Sequence, residues 1–190
     1  MSFKSARYLI VGIALGFGCS IVLAQEVVHA VTGVVTQVNN SAHTITLKTS
    51  DGSLVVLQEE AKRDPRFELD KALEADATRS ADFNKPGDPA IVYYFGMDAN
   101  RKAVAIKDLG SVLPKSASGQ ITHWDRHRHM VTIKTAGGAT QTFQLDDKTA
   151  VETPMGVVNG DKFEGQNGDQ ISIRYVDKGG NNEAVFMNES

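Results

Sequence analysis

Three of the five histidines in this 190-residue chain lie within the stretch ITHWDRHRHMVTIK, residues 121–134, which also holds the only tryptophan. The candidate metal ligands in it are His123, His127, His129 and Met130. Imidazole suits zinc and copper, and a thioether favours Cu(I). His127 and His129 are two residues apart, on one side of a hairpin, and His123 arrives on the opposing strand. One interpretation is therefore a copper or zinc site, to which Asp125 would add an oxygen.

The other interpretation of this stretch is a solvated turn between two strands. Residues 125–128, DRHR, align with residues 39–42, NNSA, in an internal repeat described below. A turn in water tolerates charged side chains, and an amphipathic ring at a strand end, such as Trp124, can cover the mouth of a barrel. In this case His123 and His127 should point apart into solvent, and this is the outcome that we expect.

Charge argues against a third interpretation, oligonucleotide binding through Arg126, Arg128 and Trp124. The chain has 20 Lys and Arg against 23 Asp and Glu, a net charge of −3. Residues 1–24 contain two bases and no acid, so the remainder has a net charge of −5. A mildly acidic chain is a poor general binder of phosphate backbones. We therefore expect no nucleic-acid partner.

The sequence contains no catalytic motif. Two acidic pairs, Glu59 with Glu60 and Asp146 with Asp147, stand at the ends of predicted strands, where solvated turn residues are typical. No serine lies in a nucleophile elbow. The only cysteine, Cys19, lies in the leader described next, so the mature chain has neither a thiolate metal site nor a cysteine nucleophile. We expect a protein that is not an enzyme and has no cofactor unless the hairpin binds copper or zinc.

The N-terminus has the layout of a secretory signal peptide. Two bases, Lys4 and Arg7, precede an apolar run from about Tyr8 to Leu23, and the small residue Ala24 follows it. This order of basic, apolar and small residues predicts cleavage after residues 1–24 and a periplasmic or secreted protein without stable membrane insertion. A retained N-terminal anchor and a lipoprotein acylated at Cys19 are the alternatives; three glycines weaken the apolar run as a membrane-spanning helix.

An internal repeat organises the rest of the chain. Residues 33–58 align with residues 119–144 without a gap, and eight positions are identical. Residues 87–106 also align without a gap with residues 168–187, and six positions are identical. Two blocks in the same order in each half predict a duplicated domain.

Within each repeat, polar and apolar residues alternate as they do in strands. Ile45 and Leu47 alternate with threonine and lysine, and so do Val131 and Ile133. Turns containing glycine separate the alternating segments. About five short antiparallel strands in each unit cannot bury a core as an open sheet. The sequence therefore predicts an all-β fold of two tandem OB-like five-stranded barrels.

The connection between the third and fourth strands differs between the two units. In the first unit, apolar residues recur at helical spacing after Pro65. They are Phe67, Leu69, Ala72 and Leu73. This spacing predicts a short helix at the place where the OB-fold keeps one. The matching segment of the second unit contains Pro154 and Gly156, so we expect only a turn or a short helix there.

These features divide the chain into a first barrel at residues 25–110, a linker at residues 111–118 and a second barrel at residues 119–190. The motifs TITLKT and VTIKT, each followed by a glycine turn and later by Gly-Asp before a strand with tyrosine, resemble a small β-barrel family of exported bacterial proteins. That family has no assigned function. The resemblance implies an OB-like fold and an exported protein, and it implies no chemistry.

Together these observations predict an exported, non-enzymatic binding or structural module of the bacterial cell envelope. Its partner would be an envelope protein or a small ligand. The alternative is a periplasmic copper-binding or zinc-binding protein that uses the histidine-rich hairpin of the second barrel.

Overall fold

Residues 26–60 and 68–189 are described by a computed structural model, in which most of the chain forms two β-sheets. The first sheet contains β1 His29–Asn39, β2 Thr44–Lys48, β3 Leu54–Glu59, β4 Thr78–Arg79, β5 Pro89–Phe95 and β6 Lys102–Asp108. The second contains β7 Lys115–Asp125, β8 Met130–Lys134, β9 Thr140–Gln144, β10 Ala150–Thr153, β11 Gly156–Asn159, β12 Gln170–Lys178 and β13 Asn181–Glu189. The described helices are α1 Lys71–Ala75 and 3-10 helices at Ser80–Asp82, Asp98–Asn100 and Gly160–Lys162.

The first sheet closes into a five-stranded barrel. Its strands follow the order β3, β2, β1, β5 and β6. The barrel closes where β3 pairs in parallel with β6, with Gln58 opposite Lys102 and Glu59 opposite Ala103. The short strand β4 adds to the outer edge of β6. This strand order is that of the OB-fold, and the predicted all-β, OB-like class is confirmed.

The second sheet has the same order of corresponding strands, with two strands added. Its barrel strands run β9, β8, β7, β12 and β13, and a parallel pairing of Glu183 with Gln144 brings β13 back to β9. The additional hairpin of β10 and β11 attaches to β13. Strand β7 begins at Lys115, so its first residues lie within the predicted linker at residues 111–118.

Positions paired by the sequence repeat occupy equivalent places in the two sheets. Tyr94 lies opposite His29 between β5 and β1, and Tyr175 lies opposite Lys115 between β12 and β7. In both sheets a register shift falls beside this tyrosine in the pairing with the last strand. The correspondence supports the duplication hypothesis, which itself stays a prediction.

The helix predicted in the first unit is present as α1. Asp70 caps it, because its carboxylate accepts a hydrogen bond of 2.9 Å from the backbone N–H of Ala72. Leu73 is the buried residue of this helix. Phe67, which belongs to the same apolar pattern, lies outside the described residues.

In the second unit the corresponding segment forms the β10–β11 hairpin followed by a 3-10 helix. The expectation of only a turn or a short helix missed this hairpin. Pro154 and Met155 make its turn, and Gly156 follows with a positive φ of 112°. Of the two residues that suggested a break in regular structure, Pro154 lies in the turn between two short strands and Gly156 begins the second of them.

Three apolar clusters hold the described chain together. One fills each barrel, and the third lies between the two sheets. The third cluster contains Val28, Ala30, Leu69, Leu73, Ile91, Tyr93, Phe95, Ala105, Ala150 and Phe186. A backbone hydrogen bond of 2.7 Å from Val157 of β11 to the carbonyl of Val28 joins the sheets at the edge of this cluster. The two sheets thus share an apolar interface.

The predicted signal peptide, residues 1–24, lies outside the described residues. Within residues 26–60 and 68–189, no helix is both long and apolar enough to span a bilayer.

Candidate functional site

The histidine-rich stretch forms the turn between β7 and β8. Its shape is set by Asp125, whose Oδ1 accepts hydrogen bonds of 3.1 Å from the backbone N–H groups of His127 and Arg128. Asn39 caps the β1–β2 turn in the same way, through N–H groups two and three residues later. This carboxylate therefore organises the turn, which is the role that Asx turns give to aspartate and asparagine.

The histidines of this turn have different surroundings. His123 and His127 are exposed, whereas His129 is partly buried. His129 has a positive φ of 50° and its ring packs edge-on against Trp124, with 6.4 Å between centroids. Its Nδ1 lies 3.6 Å from Asp161 Oδ1. The ring of Trp124 also contacts Phe163, so these aromatic side chains cover one end of the second barrel.

A metal site at this turn has no further geometric support. Among the described residues, no group of three or more His, Cys, Asp or Glu side chains is arranged to hold a metal ion. Met130, at the start of β8, is paired with Asp125 across the hairpin and is partly buried. The assignment of His123, His127, His129 and Met130 as copper or zinc ligands stays a prediction.

A second candidate site is a cleft of about 570 Å³ between the two sheets. The sequence analysis did not identify it. Residues from β1, β5 and the β2–β3 loop form one wall, and residues from β7, β10, β12 and β13 form the other. Its hydroxyl and amide lining consists of Thr32, Ser50, Ser116, Ser118, Ser172 and Asn188. We call this space the inter-sheet cleft.

Strand register explains the polar wall of the inter-sheet cleft. Ser118 lies opposite Ser172, and Ser172 lies opposite Asn188 on the next strand. Side chains at such paired positions share one face of a sheet, with strands about 4.8 Å apart. Ile173, the residue after Ser172, points the other way and is buried in the core of the second barrel. The serines and the asparagine therefore form a row on the outer face of the second sheet.

Arg174 provides a positive charge beside this row. It lies opposite Ser116 on β7 and is half-buried in the cleft wall. Within the described part of the chain, its guanidinium makes neither an ion pair nor a hydrogen bond. A smaller space of about 330 Å³ adjoins the cleft, shares Arg174 and Ser50 with it, and adds Lys48. Arg174 is thus the cation of the cleft lining, and Lys48 is a second cation in the adjoining space.

Glu152 is the carboxylate of the cleft lining, and it lies opposite Asn188 on the neighbouring strand. Its Oε1 lies 2.6 Å from His29 Nδ1, and its Oε2 accepts a hydrogen bond of 2.7 Å from the backbone N–H of Ala30. Burial raises the pKa of the Glu152 carboxyl, and the contacts with His29 and Ala30 partly offset that effect. Both oxygens are engaged, so Glu152 fastens β1 to the second sheet.

Tyr94 lines the cleft beside this contact. Its ring centroid is 5.8 Å from that of His29, and the guanidinium of Arg101 lies over its face at 5.5 Å. Burial raises the pKa of the Tyr94 hydroxyl. The hydroxyl therefore stays protonated at neutral pH and is able to donate a hydrogen bond.

The arrangement of the cleft suits the binding of a polar molecule. Hydroxyl and amide groups donate and accept hydrogen bonds, and Arg174 adds a charged donor. Sequence reasoning missed these residues because the two walls are far apart in the chain and Ser116 fell within the predicted linker. The alternation of polar Ser172 and Arg174 with buried Ile171 and Ile173 in β12 was the available signal.

No protein-family model matches the chain, and no curated protein is significantly similar to it in sequence. The resemblance to a family of exported OB-like barrels therefore stays a prediction from the residues.

Proposed function

We propose that the chain is an exported, non-enzymatic binding module of the bacterial cell envelope that holds a small polar ligand in the inter-sheet cleft. The observation that carries this proposal is a free guanidinium, Arg174, beside a row of side-chain hydroxyls in a concave space. The volume of about 570 Å³ falls in the range of roughly 300–1,000 Å³ that is usual for small-molecule sites.

The apolar interface between the sheets supports a cleft that exists before the ligand arrives. Phe186 lines the cleft and also belongs to the apolar cluster that joins the sheets. Polar contacts border this cluster: Lys162 donates to Asp70 at 2.6 Å, and Lys107 donates to the carbonyl of Lys148 at 2.8 Å. Walls fixed by packing lose little conformational entropy on binding, which favours affinity.

The proposal is tested by filling the cleft. Ser172→Trp places a large ring in the row of hydroxyls, whereas Ser41→Trp makes the same change at an exposed turn remote from the cleft. The probes are glucose, glucuronate, glucose 6-phosphate and citrate, assayed by thermal shift and calorimetry. We expect at least one probe to bind the wild type and Ser41→Trp and to be lost in Ser172→Trp. Binding of no probe, or equal binding to Ser172→Trp, would overturn the proposal.

Export is the part of the proposal that rests on residues 1–24 alone. N-terminal sequencing of the protein from envelope material should find Gln25 first, because the predicted cleavage follows Ala24. A chain that begins at Met1 would show a retained leader, and a modified Cys19 would show a lipoprotein.

The alternative function, a periplasmic copper or zinc carrier, rests on the residue types of the β7–β8 turn. Calorimetry with Cu(II), Cu(I) and Zn(II) on the wild type and on a variant with His127→Ala and His129→Ala distinguishes it from ligand binding in the cleft. We expect no one-to-one isotherm of micromolar or tighter affinity. An isotherm of this kind that disappears in the double variant would establish the carrier function instead.

A further inference from the structure

The cationic end of the inter-sheet cleft indicates what kind of ligand it accepts. Arg174 lines both the cleft and its smaller neighbour, and Lys48 lines the smaller neighbour alone. Neither side chain has an ion-pair partner among the residues that the structure describes. Most of the other described Lys and Arg side chains do pair with an acid, as Lys85, Lys107 and Lys162 do.

The acidic group of the cleft does not neutralise this end. Glu152 is the carboxylate of the lining, and both of its oxygens are bonded, one to His29 and the other to the N–H of Ala30. The free positive charges of Arg174 and Lys48 are therefore available to an anionic group of a ligand. A guanidinium presents a planar fork of donors that matches a carboxylate or a phosphate.

The remaining lining favours hydroxyl groups on the rest of the ligand. The row of Ser118, Ser172 and Asn188 offers donors and acceptors at intervals of about 4.8 Å across the strands. Each of these groups is able to exchange hydrogen bonds with a ligand hydroxyl. An apolar ligand would leave them without partners, which costs about 1–3 kcal/mol for each buried group.

We infer that the inter-sheet cleft binds a small polyhydroxylated anion, of the chemical class of sugar acids and sugar phosphates. Arg174 holds the oxyanion, Lys48 adds long-range attraction, and the row of Ser118, Ser172 and Asn188 contacts the hydroxyl groups. This inference rests on the proposed function, since it assigns the ligand class of the same cleft.

Calorimetry with four probes tests the inference: glucuronate, glucose 6-phosphate, glucose and inorganic phosphate. Glucuronate and glucose 6-phosphate separate a carboxylate from a phosphate as the recognised anion. Glucose lacks the anion, and inorganic phosphate lacks the hydroxylated ring. We expect one or both anionic sugars to bind at least tenfold more tightly than glucose and inorganic phosphate, with affinity that falls as salt is added.

Substitutions of single cationic residues test which of them contacts the anionic group of the ligand. Arg174→Gln should weaken the anionic sugar by about 10- to 100-fold, the loss typical of one charge-assisted contact. Lys48→Gln should weaken it a few-fold. Lys134→Gln is the matched control, because Lys134 corresponds to Lys48 in the repeat and does not line the cleft. Circular dichroism and thermal melting of each variant show that it is folded.

The outcomes separate failure of this inference from failure of the proposed function. If glucose binds as tightly as glucuronate and is lost in Ser172→Trp, the cleft binds ligands but the anion assignment is wrong. If inorganic phosphate binds as tightly as glucose 6-phosphate, the role of the hydroxyl row is wrong. If an anionic sugar binds equally well to Arg174→Gln, or no probe binds at all, the assignment of this ligand class to the cleft is overturned.

Discussion

Leu73→Ala is the most direct test of how the two sheets are joined. Leu73 is fully buried and belongs to the apolar cluster between the sheets, which also includes Tyr93 of the first sheet and Phe186 of the second. It lies in α1, which the chain reaches before it enters the second sheet. If the interface couples the sheets, loss of this side chain should destabilise both of them.

The size of the effect follows from burial. Leu→Ala removes three carbon groups from the core, and at about 0.8 kcal/mol each this costs about 2.4 kcal/mol of transfer free energy. The cavity left behind adds to this, so we expect the free energy of unfolding to fall by about 2–5 kcal/mol. With a urea slope of about 2–3 kcal/mol per molar, the unfolding midpoint should fall by about 1–2 M.

Urea unfolding measured by two signals tests the coupling. Far-UV circular dichroism reports on both sheets, and fluorescence of Trp124, the only tryptophan, reports on the second barrel. Both transitions should shift together in Leu73→Ala. Leu54→Ala is the control, because Leu54 is 64% exposed and its loss should cost no more than about 0.5 kcal/mol. A shifted dichroism transition with an unchanged Trp124 transition would refute the coupling.

Two further predictions concern strand packing and the clamp at the end of the cleft. A Cβ added to Gly119 would lie 2.3 Å from the carbonyl oxygen of Lys134, so Gly119→Ala should lower stability by about 1–3 kcal/mol in thermal or urea unfolding. Gly137→Ala, where the added atom meets nothing within 4 Å, should have little effect, and equal effects would contradict the packing argument. Glu152→Gln replaces the carboxylate that bonds His29 and the N–H of Ala30 with a neutral amide, which does not ionise. Burial raises the pKa of Glu152, so ionisation is less favourable in the folded state than in the unfolded state, and the stability of the wild type relative to the variant should fall as the pH rises from 4.5 through the raised pKa. A wild type that gains stability relative to the variant over that range would contradict this assignment.

The strands and the barrels were predictable because their signal is local. Ile45 and Leu47 alternate with polar residues, and both are fully buried in β2. The glycine turns are also where the sequence predicts them, and Gly52 closes a three-residue loop in which the Thr49 N–H donates to the carbonyl of Ser53. Alternation and turn chemistry act over a few residues, so they can be read without knowing the partner strand.

The inter-sheet cleft was not predictable for the opposite reason. It exists because the outer face of β12, with Arg174, comes to lie near Thr32 of β1, more than 140 positions earlier in the chain. No spacing rule connects residues so far apart. Strand alternation alone shows that Arg174 lies on the outer face of the second sheet. Which residues of the first sheet lie opposite that face depends on the packing of α1 and Phe186 between the sheets.

The histidine-rich turn illustrates a limit of reading residue types. Imidazole and thioether groups in one hairpin satisfy the chemical requirement for copper or zinc, yet a ligand set also needs directions that converge. Here Asp125 fixes the tip of the turn, and the ring of His129, whose φ is positive, packs against Trp124. The sequence shows which residue types are present in the turn, but it does not show the directions of their side chains.

The two charged groups of the cleft differ in what they contribute to the folded state. Glu152 has both oxygens bonded across the sheet interface, so its interactions are used for folding. Arg174 is half-buried and unpaired within the described residues, so it loses hydration without gaining a partner. An anion bound in the cleft, as proposed above, would supply the partner that the described part of the fold does not. The unpaired guanidinium of Arg174 is therefore the feature on which the proposed ligand class rests.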